Sequence, residues 1–252
     1  MDRPVFIKAA ALCCPEPGEL QAFALQALPV DRSLLPAALR RRTSLTTQMA
    51  VTAAMHACDR AQCDASVLPS VFASVGGEIQ VTDALCRTLP DREALLSPTR
   101  FHNSVHNTTA GYWSILNQCQ APTTAIAAID DSFAMALLEA WAQLQQRPGE
   151  LLLVCYDEQW SQYLAPPMGQ AAFACALVLC SKSRQQLPAI SRPKTEAEVY
   201  PVEKKLLHYI QRSPAAAAIP LLQAIEAPGM SGRIPLNISA PRWFTRLHRG
   251  AS

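Results

Sequence analysis

The residues in this chain that could do chemistry fall into three groups. The first is Asp130-Asp131-Ser132, placed between a small-residue run (Pro122 to Ile129, PTTAIAAI) and a helical-period run from Phe133 to Gln145. A strand that turns sharply into a helix presents its corner residue at a helix N-terminus, where the dipole favours an anion. An aspartate there can act as an acid or base, or it can simply cap the helix, a contribution of about 1 kcal/mol. Capping is the more economical expectation for Asp130 and Asp131. The second group is His102 and His106, four apart in a polar Asn/His-rich stretch. On a helix they could share a metal, but no third ligand stands at a recognisable spacing, so no metal site is expected. The third is the set of nine cysteines. Cys58/Cys63 and Cys175/Cys180 each enclose four residues, unlike a zinc knuckle, and no C-x-x-C occurs. Cys119 is near the corner in sequence but precedes the strand, so it lacks the turn that would activate it.

The elements that must position these residues alternate between strand and helix. Residues 5 to 12 read as a first strand and Leu34 to Cys58 as helix. Val67 to Val75 is a β-branched apolar run that stops at Gly76-Gly77, as a buried parallel strand entering a loop would. Glu78 to Thr88 resumes helical spacing, and Ala110 to Leu116 forms a short helix. The corner strand and its helix follow, then two apolar strands, Leu151 to Tyr156 and Ala171 to Cys180. This order predicts an α/β domain over 1–181 with a largely buried sheet. From about 182 the composition turns to Lys, Arg, Ser, Gln and Pro; 182–252 is set apart as a C-terminal extension with one amphipathic helix, Val202 to Gln211.

Half of the 252 residues are hydrophobic and 17% are charged, enough to bury a sizeable core. A net charge of +2 is too mild for a nucleic-acid partner. The odd cysteine count, spread through apolar stretches, suits reduced thiols in the cytoplasm. Lys8 and Pro15 to Pro17 break the N-terminal apolar run before any signal-like cleavage site. No apolar run reaches the roughly 18 residues that span a bilayer. Arg40 to Arg42 and the tail residues Arg233, Arg242, Arg246 and Arg249 read as a solvated face, with Trp243 and Phe244 packing the tail down.

The order of pieces in FHNSVHNTTAGYWSI (101–115), PTTAIAAIDDSFAMALLEA (122–140) and LLLVCYDE (151–158) resembles the N-terminal half of β-ketoacyl synthases of the thiolase superfamily. The SVHNTTAGYW wording resembles the short, ketosynthase-like chain length factors of aryl polyene clusters. The resemblance implies half of a thiolase-like αβα sandwich: a mixed sheet of five strands, helices on both faces, plus the C-terminal extension. It also implies that the family's nucleophilic cysteine falls at Asp130. A thiol at a helix N-terminus becomes a thiolate acyl acceptor, whereas a carboxylate there is a poor one and would repel a malonyl carboxylate. The family's histidine motifs have no counterpart after residue 181.

The function implied is that of a non-catalytic, chain-length-factor-like subunit, without cofactor, that forms a heterodimer with an active β-ketoacyl synthase. An acyl carrier protein is a further candidate partner, for which the basic residues could serve. Asn103, Ser104, His106, Asn107 and the strand residues Thr124, Ala125, Ile126, Ala127 and Ala128 are the interface candidates. Tyr112, Trp113, Asp130 and Phe133 are the candidates for lining an acyl tunnel. A half-fold is expected to leave a broad apolar face open for its partner. The alternatives are a stand-alone thioester decarboxylase or hydrolase using Asp130 with His106 as base, and a homodimeric carrier-protein scaffold.

Overall fold

A computed structural model of the chain describes residues 2–91, 95–160, 171–183, 187–196, 203–239 and 242–249. In chain order the elements are β1 (Val5–Cys13), α1 (Ala37–Arg40), α2 (Leu45–Ala61), β2 (Ser70–Ala73), α3 (Ile79–Thr88), α4 (Pro98–Asn103), α5 (Thr108–Leu116), β3 (Thr123–Ile126), α6 (Ser132–Gln146), β4 (Glu150–Asp157) and β5 (Phe173–Cys180). There follow β6 (Ala189–Ile190), β7 (Lys194–Glu196), α7 (Lys204–Arg212), α8 (Ile219–Glu226), β8 (Gly232–Pro235) and β9 (Arg242–His248).

All these strands join one mixed sheet in the order β3-β2-β4-β5-β1-β6-β9-β7, with β8 on the other side of β9. β2 is parallel to β3 and β4, while β5 runs antiparallel to both β4 and β1. β1, β2, β3 and β4 therefore point the same way and deliver their carboxyl ends to one edge. That edge of an open α/β sheet is where ligands and partners tend to be met.

The sheet is covered on both faces. α2 starts where the Ser44 hydroxyl accepts the Thr47 amide (3.1 Å) and ends at Gln62, in left-handed conformation. Its small residues Ala50, Ala53, Ala54 and Ala57 are fully buried, so the helix lies close on β1, β4 and β5. Phe72, Trp113 and Tyr156 complete that core. The opposite core holds Phe133, Leu137 and Trp141 of α6 against Leu151, Leu153 and Cys155 of β4.

Here one expectation is overturned. The sequence suggested an open apolar face, but the C-terminal segment occupies it. Ala215 to Ala218, Ile219, Leu221 and Leu222 are all buried, packed with α6 and the sheet. The alanine run lets the backbone approach the strands closely, and the later strands extend the sheet past the five anticipated.

All nine cysteines are free, and all but Cys63 and Cys86 are buried. No helix among the described residues is long and apolar enough to cross a membrane.

Candidate functional site at the carboxyl edge

The corner after β3 is built by an unusual backbone. Ile129 has φ 48°, the left-handed region that a β-branched residue strongly disfavours. The Ser132 hydroxyl accepts the Ala128 amide (3.0 Å) and donates to the Ile129 carbonyl (2.8 Å), while the Asp131 amide donates to the Ala128 carbonyl (2.9 Å). Neither aspartate caps α6 as expected; Asp131 stands at the N-cap without a side-chain cap bond. Its Oδ1 instead accepts the Asn237 side-chain amide at 2.6 Å, and Asn237 Oδ1 accepts the Trp243 amide at 2.9 Å. The C-terminal segment is thus tied to the corner, and the demand of that tie replaces capping. Asp130 is half-buried beside it.

No thiol stands at this corner, where the chain has Ile129-Asp130-Asp131-Ser132. Cys119 lies before β3, at the opposite end of the strand, with its thiol directed at the Leu68 carbonyl (3.6 Å). Cys155 is enclosed within β4, and burial pushes its thiol well up, toward an inert neutral form.

The histidines separate. His106 Nε2 meets the Ser74 carbonyl at 2.8 Å; because a carbonyl only accepts, that nitrogen carries the proton. The contact fixes the turn at Gly77 (φ 56°), where a Cβ would meet the His106 backbone at 3.3 Å. His102 is exposed on α4. Among the described residues no group of three or more His, Cys, Asp or Glu is placed to hold a metal.

The other candidates divide into internal bolts and open surface. Asn103 is buried, donating to the Arg42 carbonyl (2.6 Å) and accepting from the Tyr112 hydroxyl (2.9 Å). Trp113 and Phe133 are fully buried in the cores on opposite faces of the sheet, so they do not share one wall. Ser104 is half-buried and Asn107 exposed. Thr124 to Ala128 lie at the free end of the sheet, alternating between half-buried and exposed. Of the tail basics, Arg249 donates to the Ala224 carbonyl (3.1 Å) and Arg242 to the Asn237 carbonyl (3.2 Å), turning them inward.

The geometry of β3 is specific. The Ser70 and Ser74 amides donate to the carbonyls of Pro122 and Ile126. The even-numbered residues of β3 therefore direct their backbone groups to β2, and by strand alternation Thr123 and Ala125 direct theirs to the open edge.

The carboxyl edge also gathers three carboxylates to which the sequence reading gave no site role, although Asp157 and Glu158 end the LLLVCYDE run that carries the resemblance. Asp157, 1% exposed, accepts from the Ser74 hydroxyl (2.9 Å), the Val75 amide (2.8 Å) and the Ala215 amide (2.9 Å). Burial nevertheless pushes it up to about 6. Glu158, which accepts the Gln80 amide (3.0 Å), is raised by burial to about 7, and burial raises Glu78 as well. Glu158 forms part of the wall of a cavity of about 560 Å³ with Cys14, Glu16, Glu19, Ser44 and Gln80. Acidic residues after a glycine turn and after an apolar strand were the available signal; their convergence follows from the pairing of β2 with β4.

Comparison with known proteins bears on this arrangement. The model of the β-ketoacyl synthase N-terminal domain matches residues 16–224. No curated protein matches the sequence. A solved structure of a ketosynthase (ApeO) in complex with its chain length factor (ApeC) from Xenorhabdus doucetiae contains a chain 19% identical, with TM-score 0.70, covering 98% of this chain and 99% of that one. The ishigamide ketosynthase/chain length factor matches at 14% identity and TM-score 0.57, over 77% of this chain and 68% of that one. A type II polyketide synthase acyl-carrier protein in complex with its ketosynthase bound to the hexaketide, AntDE:AntF, matches at 14% identity and TM-score 0.57, over 71% and 64%.

Proposed function

The chain belongs to the β-ketoacyl synthase family, and from that premise we propose that it is the non-catalytic, chain-length-factor-like partner of an active β-ketoacyl synthase in polyketide, aryl polyene or fatty-acid-type biosynthesis. The observation that carries the reading is a strand whose outward backbone groups meet no further strand among the described residues, running straight into a corner that holds Asp130 and no thiol. Pairing with a strand of the ketosynthase satisfies the amides and carbonyls of Thr123 and Ala125. The interface then spans Thr124 to Ala128 together with Ser104, His106 and Asn107, with Asn103 bracing it from inside.

The likeness in fold and in length to a chain of a ketosynthase–chain length factor complex supports this reading. The acyl tunnel belongs to the active subunit, and this chain helps shape it from across the interface. Asp130 faces that boundary without forming an acyl intermediate. The carrier protein is a partner of the assembled pair rather than of this chain's tail arginines.

Co-expression with the ketosynthase encoded nearest to the gene, followed by size-exclusion chromatography with light scattering, tests the proposal. A stable one-to-one complex whose products are unaffected by Asp130→Ala is the expected result. A homo-oligomer that ignores the ketosynthase, or thioester turnover by this chain alone that Asp130→Asn abolishes, would overturn it.

A further inference from the structure

The way α2 ends brings two cysteines together. Gln62 takes the left-handed conformation, its amide donates to the Asp59 carbonyl (3.1 Å), and the Cys63 amide donates back to the Cys58 carbonyl (3.1 Å). This is a Schellman closure, in which the side chains of the two residues joined by the outer bond meet, ordinarily as an apolar contact. Here both of those residues are cysteines. Their side chains are hydrogen-bonded to each other, and the Cys63 thiol also donates to the Cys58 carbonyl at 3.7 Å. Four intervening residues carry no such signal in the sequence; the helix end supplies the contact.

The two thiols differ in access. Cys58 is 3% exposed, whereas Cys63 is half-buried. The hydrogen bond with Cys58 favours the Cys63 thiolate, and the nearby Lys8 ammonium adds to this, against the effects of burial and the Glu150 carboxylate. Cys155 and Cys175 also stand opposite each other, across β4 and β5, but each is 1% exposed and burial pushes both thiols up. Cys13 and Cys14 are adjacent in sequence and enter opposite cores. Cys58 and Cys63 thus combine mutual contact with one accessible sulfur.

We propose that Cys58 and Cys63 form a hydroperoxide-reactive dithiol site, with Cys63 as the attacking sulfur and Cys58 as the resolving one. The Cys63 thiolate attacks the terminal oxygen of a hydroperoxide. An S–O bond forms, the O–O bond breaks, and the leaving alkoxide takes up the proton that Cys63 released. Once Cys63 is a neutral sulfenic acid, the Cys58 proton is no longer held by a neighbouring thiolate, the leading reason for its raised pKa. Cys58 then gives up that proton and attacks the Cys63 sulfur, expelling hydroxide, which the proton converts to water. Two thiols are oxidised to one disulfide, and the hydroperoxide is reduced by two electrons to an alcohol and water. The new bond spans a turn that backbone hydrogen bonds already close, so the chain need not rearrange to form it. The site lies near Glu150, at the amino end of β4, and is separate from the Asp130 corner at the carboxyl edge.

The test treats the reduced, full-length chain with stoichiometric hydrogen peroxide at neutral pH, traps remaining thiols with N-ethylmaleimide and reads unreduced peptides by mass spectrometry. The expected product is an intramolecular Cys58–Cys63 disulfide that dithiothreitol reverses. It should form at least about tenfold faster than oxidation of the half-buried Cys86. Cys58→Ala is expected to leave Cys63 as a sulfenic acid that dimedone captures. If that core variant fails to fold, Cys63→Ser decides: it is expected to keep Cys58 reduced throughout. Oxidation of Cys58 in Cys63→Ser, conversion of wild-type Cys63 to a sulfinic acid while Cys58 stays free, a disulfide between two copies through Cys63, or equal rates at Cys63 and Cys86 would each overturn the proposal.

Discussion

Asn237 donates its side-chain amide to Asp131 Oδ1 at 2.6 Å across 106 residues of sequence, and in the same arrangement Asn237 Oδ1 accepts the Trp243 amide. One buried side chain therefore joins the β3–α6 corner, the segment after β8 and the start of β9. Asn237→Ala removes both bonds and leaves the Trp243 amide without its acceptor. A loss of about 2 to 3 kcal/mol is expected in urea unfolding of the folded chain or complex. Asn237→Asp places a carboxylate against Asp131 and is expected to cost more, with recovery when Asp131→Asn is added. A double variant no better than Asn237→Asp alone would show that the two residues do not act as a pair.

Stability should fall as pH rises from about 4 to about 7. Asp157 is raised from 3.8 to about 6 and Glu158 from 4.5 to about 7, with burial the leading cause in both. A carboxyl whose folded pKa exceeds its unfolded one keeps protons longer when folded. Its contribution is full below the unfolded pKa and is lost as pH rises through the folded value. For Asp157 the rise corresponds to about 3 kcal/mol. Urea midpoints at pH 5 and pH 8 test this: a lower midpoint at pH 8, with the difference reduced in Glu158→Gln, is expected. A midpoint that climbs between the two values would contradict the assignment.

The first five strands were legible because each is an apolar or β-branched run ended by a turn residue, and for β2, β4 and β5 burial on both faces leaves little alternative. The last four were not. β6 and β7 are two and three residues long, and β9 (RWFTRLH) carries arginines whose register is set only by its neighbours. The corner was legible as strand, turn and helix, but its strain was hidden, because an isoleucine at positive φ gives none of the signal a glycine would. Tyr112 and Trp113 were expected to line a tunnel; local spacing does not reveal that Asn103 and Phe72 meet them from elsewhere in the fold. The carboxylates Glu78 and Glu158 are eighty positions apart and become neighbours of one edge through the β2–β4 pairing.

Thiol chemistry should concentrate at Cys63. A hydrogen bond with Cys58 holds its pKa below the ordinary thiol range, and it is partly exposed at the end of α2. Cys13 and Cys175 are pushed up to about 12 and Cys14 to about 11, chiefly by burial. Brief iodoacetamide treatment at neutral pH, read by peptide mass spectrometry, should modify Cys63 well before any buried cysteine. Equal labelling of Cys63 and Cys14 would count against this ranking.

The edge-strand reading has its sharpest test at Ala125. Its amide points away from β2, so Ala125→Pro removes no bond from the β2–β3 ladder, and proline is tolerated on an edge whose donors face outward. The fold should survive, with a loss of about 1 kcal/mol or less, since Ala125 is exposed and packs in neither core. Thr124→Pro is the matched control: its amide faces β2, and proline there breaks the ladder and destabilises the chain itself. If β3 pairs with a strand of the ketosynthase, Ala125→Pro loses a central inter-subunit hydrogen bond and places the ring in the path of the incoming strand. Co-purification should then drop at least tenfold while the melting temperature stays near that of the wild type. A complex of undiminished yield with Ala125→Pro would move the interface off this edge, because no arrangement that adds a strand to β3 can ignore the group at its centre.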